Sequence, residues 1–393
     1  MPKKIKIKKE IISKRVNSIS KSGIRKFFDM TLEMEDVISL GVGEPDFVTP
    51  WQIREACIFS LERGYTSYTS NWGLYELRDL ISQKLNKGYK LEYNPKDEVL
   101  ITAGVSEGLD LAIRAIINPG EEVIISEPCY VSYLPCITFA GGIAVPISTD
   151  ISSEFKPTPE QINESISDKT KALIISHPNN PTGSTMSKKE LEGIADVVNE
   201  HDLIVISDEI YEELTYEGKH TCFSSLNGMR DRTILLNGLS KAYAMTGWRV
   251  GFVAGNADII EAMMKIHQYT MLCAPITGQF AAIEALKSCD EAVKEMVADY
   301  DRRRRLMVEG LDKIGLECIK PKGAFYTFPS IKTTGLSSEE FTEGLLNEKK
   351  VAVVPGNVFG ASGEGFIRCA YAVSKDVLKE ALSRIKSFVE DNR

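Results

Sequence analysis

Histidine is scarce in this chain, with four residues in 393. The eight cysteines, at 57, 129, 136, 222, 273, 289, 318 and 369, contain no C-x-x-C pair and share no metal-binding spacing with the histidines. That sets aside a zinc module and a disulfide scaffold. Free thiols point instead to a reducing, cytoplasmic compartment. Basic charge is not in excess: 55 acids stand against 47 bases, a formal net charge of −8, whereas a nucleic-acid-binding domain carries a basic surface. No apolar run reaches the length of a membrane span. The lysine-rich start, residues 1–15, lacks the apolar centre of a signal peptide and reads as a solvated arm. No nucleic acid, membrane or metal is therefore expected as a partner.

What is present is an ordinary globular balance, 43% hydrophobic and 26% charged, on a length that suggests two domains. Five apolar runs, 99–102, 123–126, 172–176, 202–207 and 233–236, read as short buried strands. They end at Ala103, Glu127, His177, Asp208 and Gly238, with helical stretches between several of them. That alternation predicts an α/β domain with a mostly parallel sheet flanked by helices, and such sheets bind ligands at the carboxyl ends of their strands. A sixth run, 250–254, has no direction fixed by its sequence. Helices are expected over 51–63, 73–86, 188–200, 290–314 and 373–389, the last capped by Ser374, with 255–288 largely helical. Runs at 320–328, 351–355 and 365–370 predict strands of a smaller α+β domain. The four arginines 302–305 read as a solvated helix face, with Asp301 and Arg305 spaced to pair.

The turns after the strands carry the chemistry. Lys241 follows the run ending at Gly238, and a lysine is costly to bury there unless its amine is used, for instance to form a Schiff base with an aldehyde. Arg249, eight residues on, offers a fixed positive charge for a phosphate; the plainer alternative is a surface loop. Gly104, Val105 and Ser106 lie between a strand and a helix, where free backbone N–H groups bind anions. Asp208 ends a buried strand, which is expensive for a carboxylate unless a cation meets it; a helix N-cap is its plainer reading. In the turn 41–47, the glycine at 43 keeps side chains away from a ligand. His177 reads as a packed loop histidine rather than a general base.

Several of these segments occur together and in order in one family. S-K-A-Y-A-M-T-G-W-R over 240–249, G-V-G-E-P-D-F over 41–47, N-P-T-G over 180–183, D-E-I-Y over 208–211 and G-F-I-R-C-A-Y over 365–371 resemble the class I/II aminotransferases of fold type I. These are aspartate-aminotransferase-like enzymes that use pyridoxal 5′-phosphate (PLP). The resemblance runs from Gly41 to the C-terminal helix. It implies that Lys241 holds PLP as a Schiff base and acts as the general base. Asp208 would face the pyridine nitrogen, with Asn180 and the Tyr211 hydroxyl at the phenolic oxygen and Tyr130 on the ring face. Gly104, Val105, Ser106, Ser240 and Arg249 would hold the phosphate, joined by Tyr68 of a neighbouring subunit. Gly238 stands where some relatives have a phosphate-binding serine. Gly43, Tyr130, Asn180 and Arg368 would meet the substrate, Arg368 through the α-carboxylate.

The same resemblance implies three segments. Residues 1–47 form an arm and part of the small domain, 48–290 the large PLP-binding domain, and 291–393 the C-terminal small domain. It further implies a homodimer that moves the amino group of an L-amino acid to a 2-oxo acid, with 2-oxoglutarate the expected acceptor. An aspartate/glutamate-like donor is favoured over alanine, aromatic amino acids or LL-diaminopimelate. A PLP-dependent lyase of the same fold is the alternative, because the cofactor site alone does not fix the reaction.

Overall fold

The computed structural model describes residues 11–21, 23 and 34–393. The first ten residues of the basic arm lie outside the described residues. Seven strands form the main sheet: β2 (Val99–Thr102), β3 (Glu122–Glu127), β4 (Ile143–Ser148), β5 (Thr170–Ser176), β6 (Ile204–Asp208), β7 (Thr233–Gly238) and β8 (Gly251–Ala254). Their order across the sheet is β2-β8-β7-β6-β5-β3-β4. Only β8 runs against the others, antiparallel to both β2 and β7, which settles the direction left open for the run at 250–254. The carboxyl ends of β2, β5, β6 and β7 therefore share one edge.

The sheet is buried on both faces because consecutive strand residues point to opposite sides. Val123, Ile125, Ile174, Ile206 and Ile234 pack with Leu109, Ile113 and Ile260, on the helices Val105–Ile116 and Ala257–Thr270. Ile124, Leu173, Ile175 and Val205 pack on the other side with Leu191, Ile194 and Val198 of the helix Lys188–Glu200. That helix begins with a reciprocal capping box, Ser187 and Glu190 each bonding the other's backbone N–H. The stretch 255–288 is two helices, Ala257–Thr270 and Ile276–Ser288, separated by a turn that leads to Pro275. No helix among the described residues is long and apolar enough to cross a membrane.

Two small sheets lie outside the main one. β1 (Ile38–Ser39) pairs with β10 (Val351–Ala352), and β9 (Tyr326–Thr327), β11 (Val354–Pro355) and β12 (Ile367–Ala370) form an antiparallel trio in the order β11-β12-β9. The expected strand at 320–328 is thus only two residues long, and the run 351–355 divides between two sheets. The long helix Asp290–Ile314 ends at Gly315 with φ +79°, a left-handed stop suited to glycine. The closing helix Lys375–Asp391 starts at Ser374, whose hydroxyl accepts from the Val377 N–H.

The arginine run departs from expectation. Arg302 and Arg305 are exposed, and Arg305 pairs with Asp301 at 2.9 Å. Arg303 and Arg304 are buried. Arg303 reaches Asp46 at 2.7 Å, and Arg304 reaches Glu217 at 3.0 Å and the Pro321 carbonyl at 2.7 Å. Four consecutive helical residues span all sides of a helix, so two of them must face inward here. These distant carboxylates, with Asp299 at 2.7 Å from Arg303 and Asp301 at 2.6 Å from Arg304 on the same helix, make that burial tolerable.

Candidate active site

A cavity of about 360 Å³ opens at the shared strand edge, and residues 42–44, Tyr326 and Arg368 wall its other side. Every site residue expected from the sequence lines it except Gly104 and Tyr68. Gly104 lies directly behind the wall. Its φ is +83°, and a Cβ there would come within 2.5 Å of Arg249 Nη2, so any other residue would push the guanidinium out of place. Gly104 is also the N-cap of Val105–Ile116 and supplies no capping side chain. The first-turn N–H groups at Val105 and Ser106 therefore sit with Arg249 and Ser240 as an anion cradle. Arg249 itself is held by the carbonyls of Thr246 at 3.0 Å and Ala103 at 3.2 Å. Tyr68 is elsewhere, 82% exposed on the outer surface.

Lys241 projects into the cavity three residues past the end of β7. Its Nζ donates to the Gly43 carbonyl at 2.6 Å. Burial, together with Arg368 and Arg249, lowers its pKa to about 8, while Glu44 and Asp208 pull the other way. Gly43 is required to be small: a Cβ would stand 2.5 Å from Tyr326 Oη.

Asp208, the last residue of β6, is 5% exposed. Burial pushes its carboxyl up, and a hydrogen bond from Tyr133 and one from the Ile210 N–H hold it down. Tyr133 Oη donates to Oδ2 at 2.8 Å and Ile210 N–H to Oδ1 at 3.3 Å. Tyr211 lies beside it, its hydroxyl 2.7 Å from that of Tyr326. Tyr130 meets Tyr133 edge to face, with centroids 5.7 Å apart.

Arg368, in β12, is 2% exposed. Its Nη1 donates to Asn180 Oδ1 at 2.9 Å and its Nη2 to the Gly41 carbonyl at 2.7 Å. The guanidinium lies over the rings of Tyr326 and Phe359, at 4.5 and 4.9 Å. Its Nε is buried without a partner, and no carboxylate pairs with it among the described residues. Sequence reasoning missed Tyr326, Tyr133, Ser176 and Glu44 as parts of this region. The available signal for Tyr133 was its spacing, three residues after Tyr130 where a helix begins.

His177 is buried behind the cavity. Its ring stacks on His220 at 4.6 Å and 21°, and His220 Nε2 meets Glu209 Oε2 at 2.6 Å. The ligand atoms of this trio lie within 4.8 Å of one another. The rings are nearly parallel, however, so their in-plane lone pairs do not converge on one ion, and the contact is an ion pair with a neutral histidine stacked on it. Burial lowers the His177 pKa to about 3, whereas Glu209 raises that of His220.

The family model for aminotransferase class I and II matches residues 35–385. The chain belongs to the class I and II aminotransferases. It is 56% identical over 378 residues to the putative aminotransferase YugH of Bacillus subtilis, covering 96% of this chain and 98% of that one. It is 47% identical to an aspartate aminotransferase of Pyrococcus abyssi, covering 97% and 99%, and 43% identical to aromatic-amino-acid aminotransferase 2 of Thermococcus litoralis, with the same coverage. Among solved structures, the Thermus thermophilus aspartate aminotransferase with maleate superposes with a TM-score of 0.92 at 36% identity, covering 96% and 99%. This aminotransferase thus has the fold type I architecture, and its reaction is amino transfer, of the EC 2.6.1 class.

Proposed function

We propose that this aminotransferase uses PLP and exchanges amino groups between L-amino acids and 2-oxo acids, with 2-oxoglutarate as the common acceptor. The observation that carries the reading is the Lys241 amine, lowered to about 8, in one cavity with Asp208, Arg249 and Arg368. The residues suit the cofactor. The uncapped helix start with Arg249 suits a phosphate, and glycine at 104 leaves the room that a Cβ would fill. The buried, unpartnered Arg368 Nε suits a carboxylate.

When bound, PLP supplies an aldehyde that bonds amines and a ring that accepts electron density from the substrate Cα. Lys241 holds the cofactor and, once its amine is free, takes the Cα proton as general base. Asp208 keeps a negative charge toward the ring nitrogen, with Asn180 and Tyr211 toward the phenolic oxygen and Tyr130 on the ring face. Val105, Ser106, Ser240 and Arg249 hold the phosphate. Arg368, aligned by Asn180 and the Gly41 carbonyl, binds the substrate carboxylate with its fork of N–H groups.

The three cations lining the cavity all have roles in this scheme. A distal carboxylate is then left to hydrogen bonds or to a second subunit, while an aromatic side chain has Tyr130, Tyr326 and Leu109 beside it. We take the donor range to include aspartate, as in the aspartate aminotransferase relatives, and glutamate, together with aromatic amino acids. Exposed Tyr68, with Trp51, Phe59 and Tyr65 nearby in sequence, supports a homodimer in which Tyr68 completes the partner's phosphate site. Free thiols support a cytoplasmic setting. Residues 48–290 are taken as the cofactor domain and 1–47 with 291–393 as the smaller part, which accords with β1 pairing to β10.

Borohydride reduction of the holoenzyme followed by peptide mapping tests the reading. Label on the peptide containing Lys241 is expected, and label on another lysine would overturn it. A half-reaction screen over aspartate, glutamate, alanine, phenylalanine, tyrosine and LL-diaminopimelate then orders the donors.

A further inference from the structure

We propose that Tyr133 is a positioning residue that keeps Asp208 ionised and oriented toward the cofactor's ring nitrogen. The inference rests on the PLP reading above and extends it to a residue behind the first layer of contacts.

Asp208 is almost fully buried and meets no cation closely enough to form an ion pair among the described residues. Its immediate neighbour Glu209 adds a second negative charge that raises its pKa further. A carboxylate so placed tends to take up a proton. If it did, it would offer no negative charge to the cofactor, and the ring nitrogen would not stay protonated. Two hydrogen bonds oppose this. One comes from the Ile210 backbone, at 3.3 Å. The shorter comes from the Tyr133 hydroxyl, at 2.8 Å, the range of a bond to a charged acceptor.

Tyr133 is well built for that task. It is 2% exposed, it opens the helix Tyr133–Ala140, and its own ionisation is strongly disfavoured by burial, so it can act only as a donor to Asp208. Ser176, at the end of β5, lies beside the same phenol, and the ring meets Tyr130 edge to face. The phenol thereby links the residue set against the cofactor face to the residue facing its nitrogen. A tyrosine serving only to fill space would need neither contact.

The test compares the affinity of the full-length apo-protein for PLP with its affinity for the analogue carrying C–H in place of the ring nitrogen. The ratio of the two isolates the Asp208 contact. In the wild type PLP should bind tighter; equal binding would sink the PLP reading of Asp208 itself. In Tyr133→Phe the ratio should fall by roughly tenfold or more, as expected for loss of a hydrogen bond to a charged group. Affinity for the analogue should change little, and Tyr133→His, which restores a ring N–H donor, should recover part of the ratio. Equal weakening of both ligands, or no change in either, would overturn the proposal by reducing Tyr133 to packing. Should Tyr133→Phe not fold, the ratio is measured in Tyr133→Met, which also removes the hydroxyl that donates to Asp208. A wild-type ratio there overturns the proposal equally.

Discussion

Asp208 and Glu209 are neighbours in the chain, both buried at the end of the same strand, yet their surroundings push them in opposite directions. Asp208 faces the cavity, and burial raises its pKa. Glu209 faces the back, where it takes the Ser207 hydroxyl at 2.8 Å, the Phe223 N–H at 2.9 Å and His220 at 2.6 Å, and its pKa is lowered. The same contrast separates the two sides of the sheet edge. Behind the cavity, Lys84 pairs with Glu213 and is attracted by Glu212 as well. On the cavity side, Lys241, Arg249 and Arg368 bond, among the described residues, only to carbonyls and an amide. Charges that serve the fold are matched by other protein charges, whereas those that serve a ligand are held by neutral groups and left electrically open.

The largest effects should break this comparison from its two ends. Lys241→Ala should lower transamination by at least roughly a thousandfold, since it removes both attachment and the general base. Its melting temperature should stay near that of the wild type, because no opposite charge loses a partner. Steady-state rates beside thermal unfolding check both halves. Glu209→Ala should do the reverse. It strands His220, Ser207 and the Phe223 N–H in the interior and should cost about 3–5 kcal/mol of stability. Activity per folded molecule should remain within a few-fold of the wild type. If Glu209→Ala proves stable but inactive, the division between the two sides is wrong.

A smaller effect separates the ligand-facing cations from one another. Arg249→Ala should weaken PLP retention by roughly ten- to a hundredfold, the worth of hydrogen bonds to a charged phosphate, while leaving the KM for the amino acid nearly unchanged. Arg368→Lys should leave PLP affinity intact and raise that KM by a comparable factor, because lysine cannot supply a paired fork. Equilibrium dialysis of PLP and initial rates distinguish the two, and exchanged phenotypes would reverse the assignment.

Much of this division was legible in the sequence because it rests on local order. A strand, then a small or charged residue, then a helix places Gly104, Asp208 and Lys241 on one edge without knowledge of the rest. What escaped depends on partners far along the chain or on context. Arg303 and Arg304 look like a solvated pair until Asp46 and Glu217 arrive from remote segments. β4 was not foreseen because Pro146 interrupts its run; the strand tolerates it as the outermost of the sheet, bonded on one side only. The helix Ser338–Lys349 carries little local signal beyond the capping box of Ser337 and Glu340 at its start. Tyr326 sits in a run that reads as one longer strand, and nothing local shows that its hydroxyl reaches Tyr211 and crowds Gly43.

The smallest expected effect is also the most direct probe of the open charges. Lys241 is lowered to about 8 chiefly by burial, then by Arg368. A lysine lowered in this way loses its proton as pH rises through that value, so the apo-protein amine should react with PLP increasingly fast up to about pH 8 and level off above it. An ordinary lysine would still be gaining reactivity beyond pH 10. Removing the Arg368 charge, as in Arg368→Leu, relieves a repulsion and must move the midpoint upward. Glu44→Gln removes an attraction for the ammonium form and must move it downward. The two shifts have opposite signs and arise from groups on the same cavity wall, so a general loosening of the site cannot produce both. Rates of PLP recombination measured across pH for the three proteins read them directly. A midpoint common to all three would mean that burial alone sets the amine, and that the cavity's unpaired cations do not act on one another.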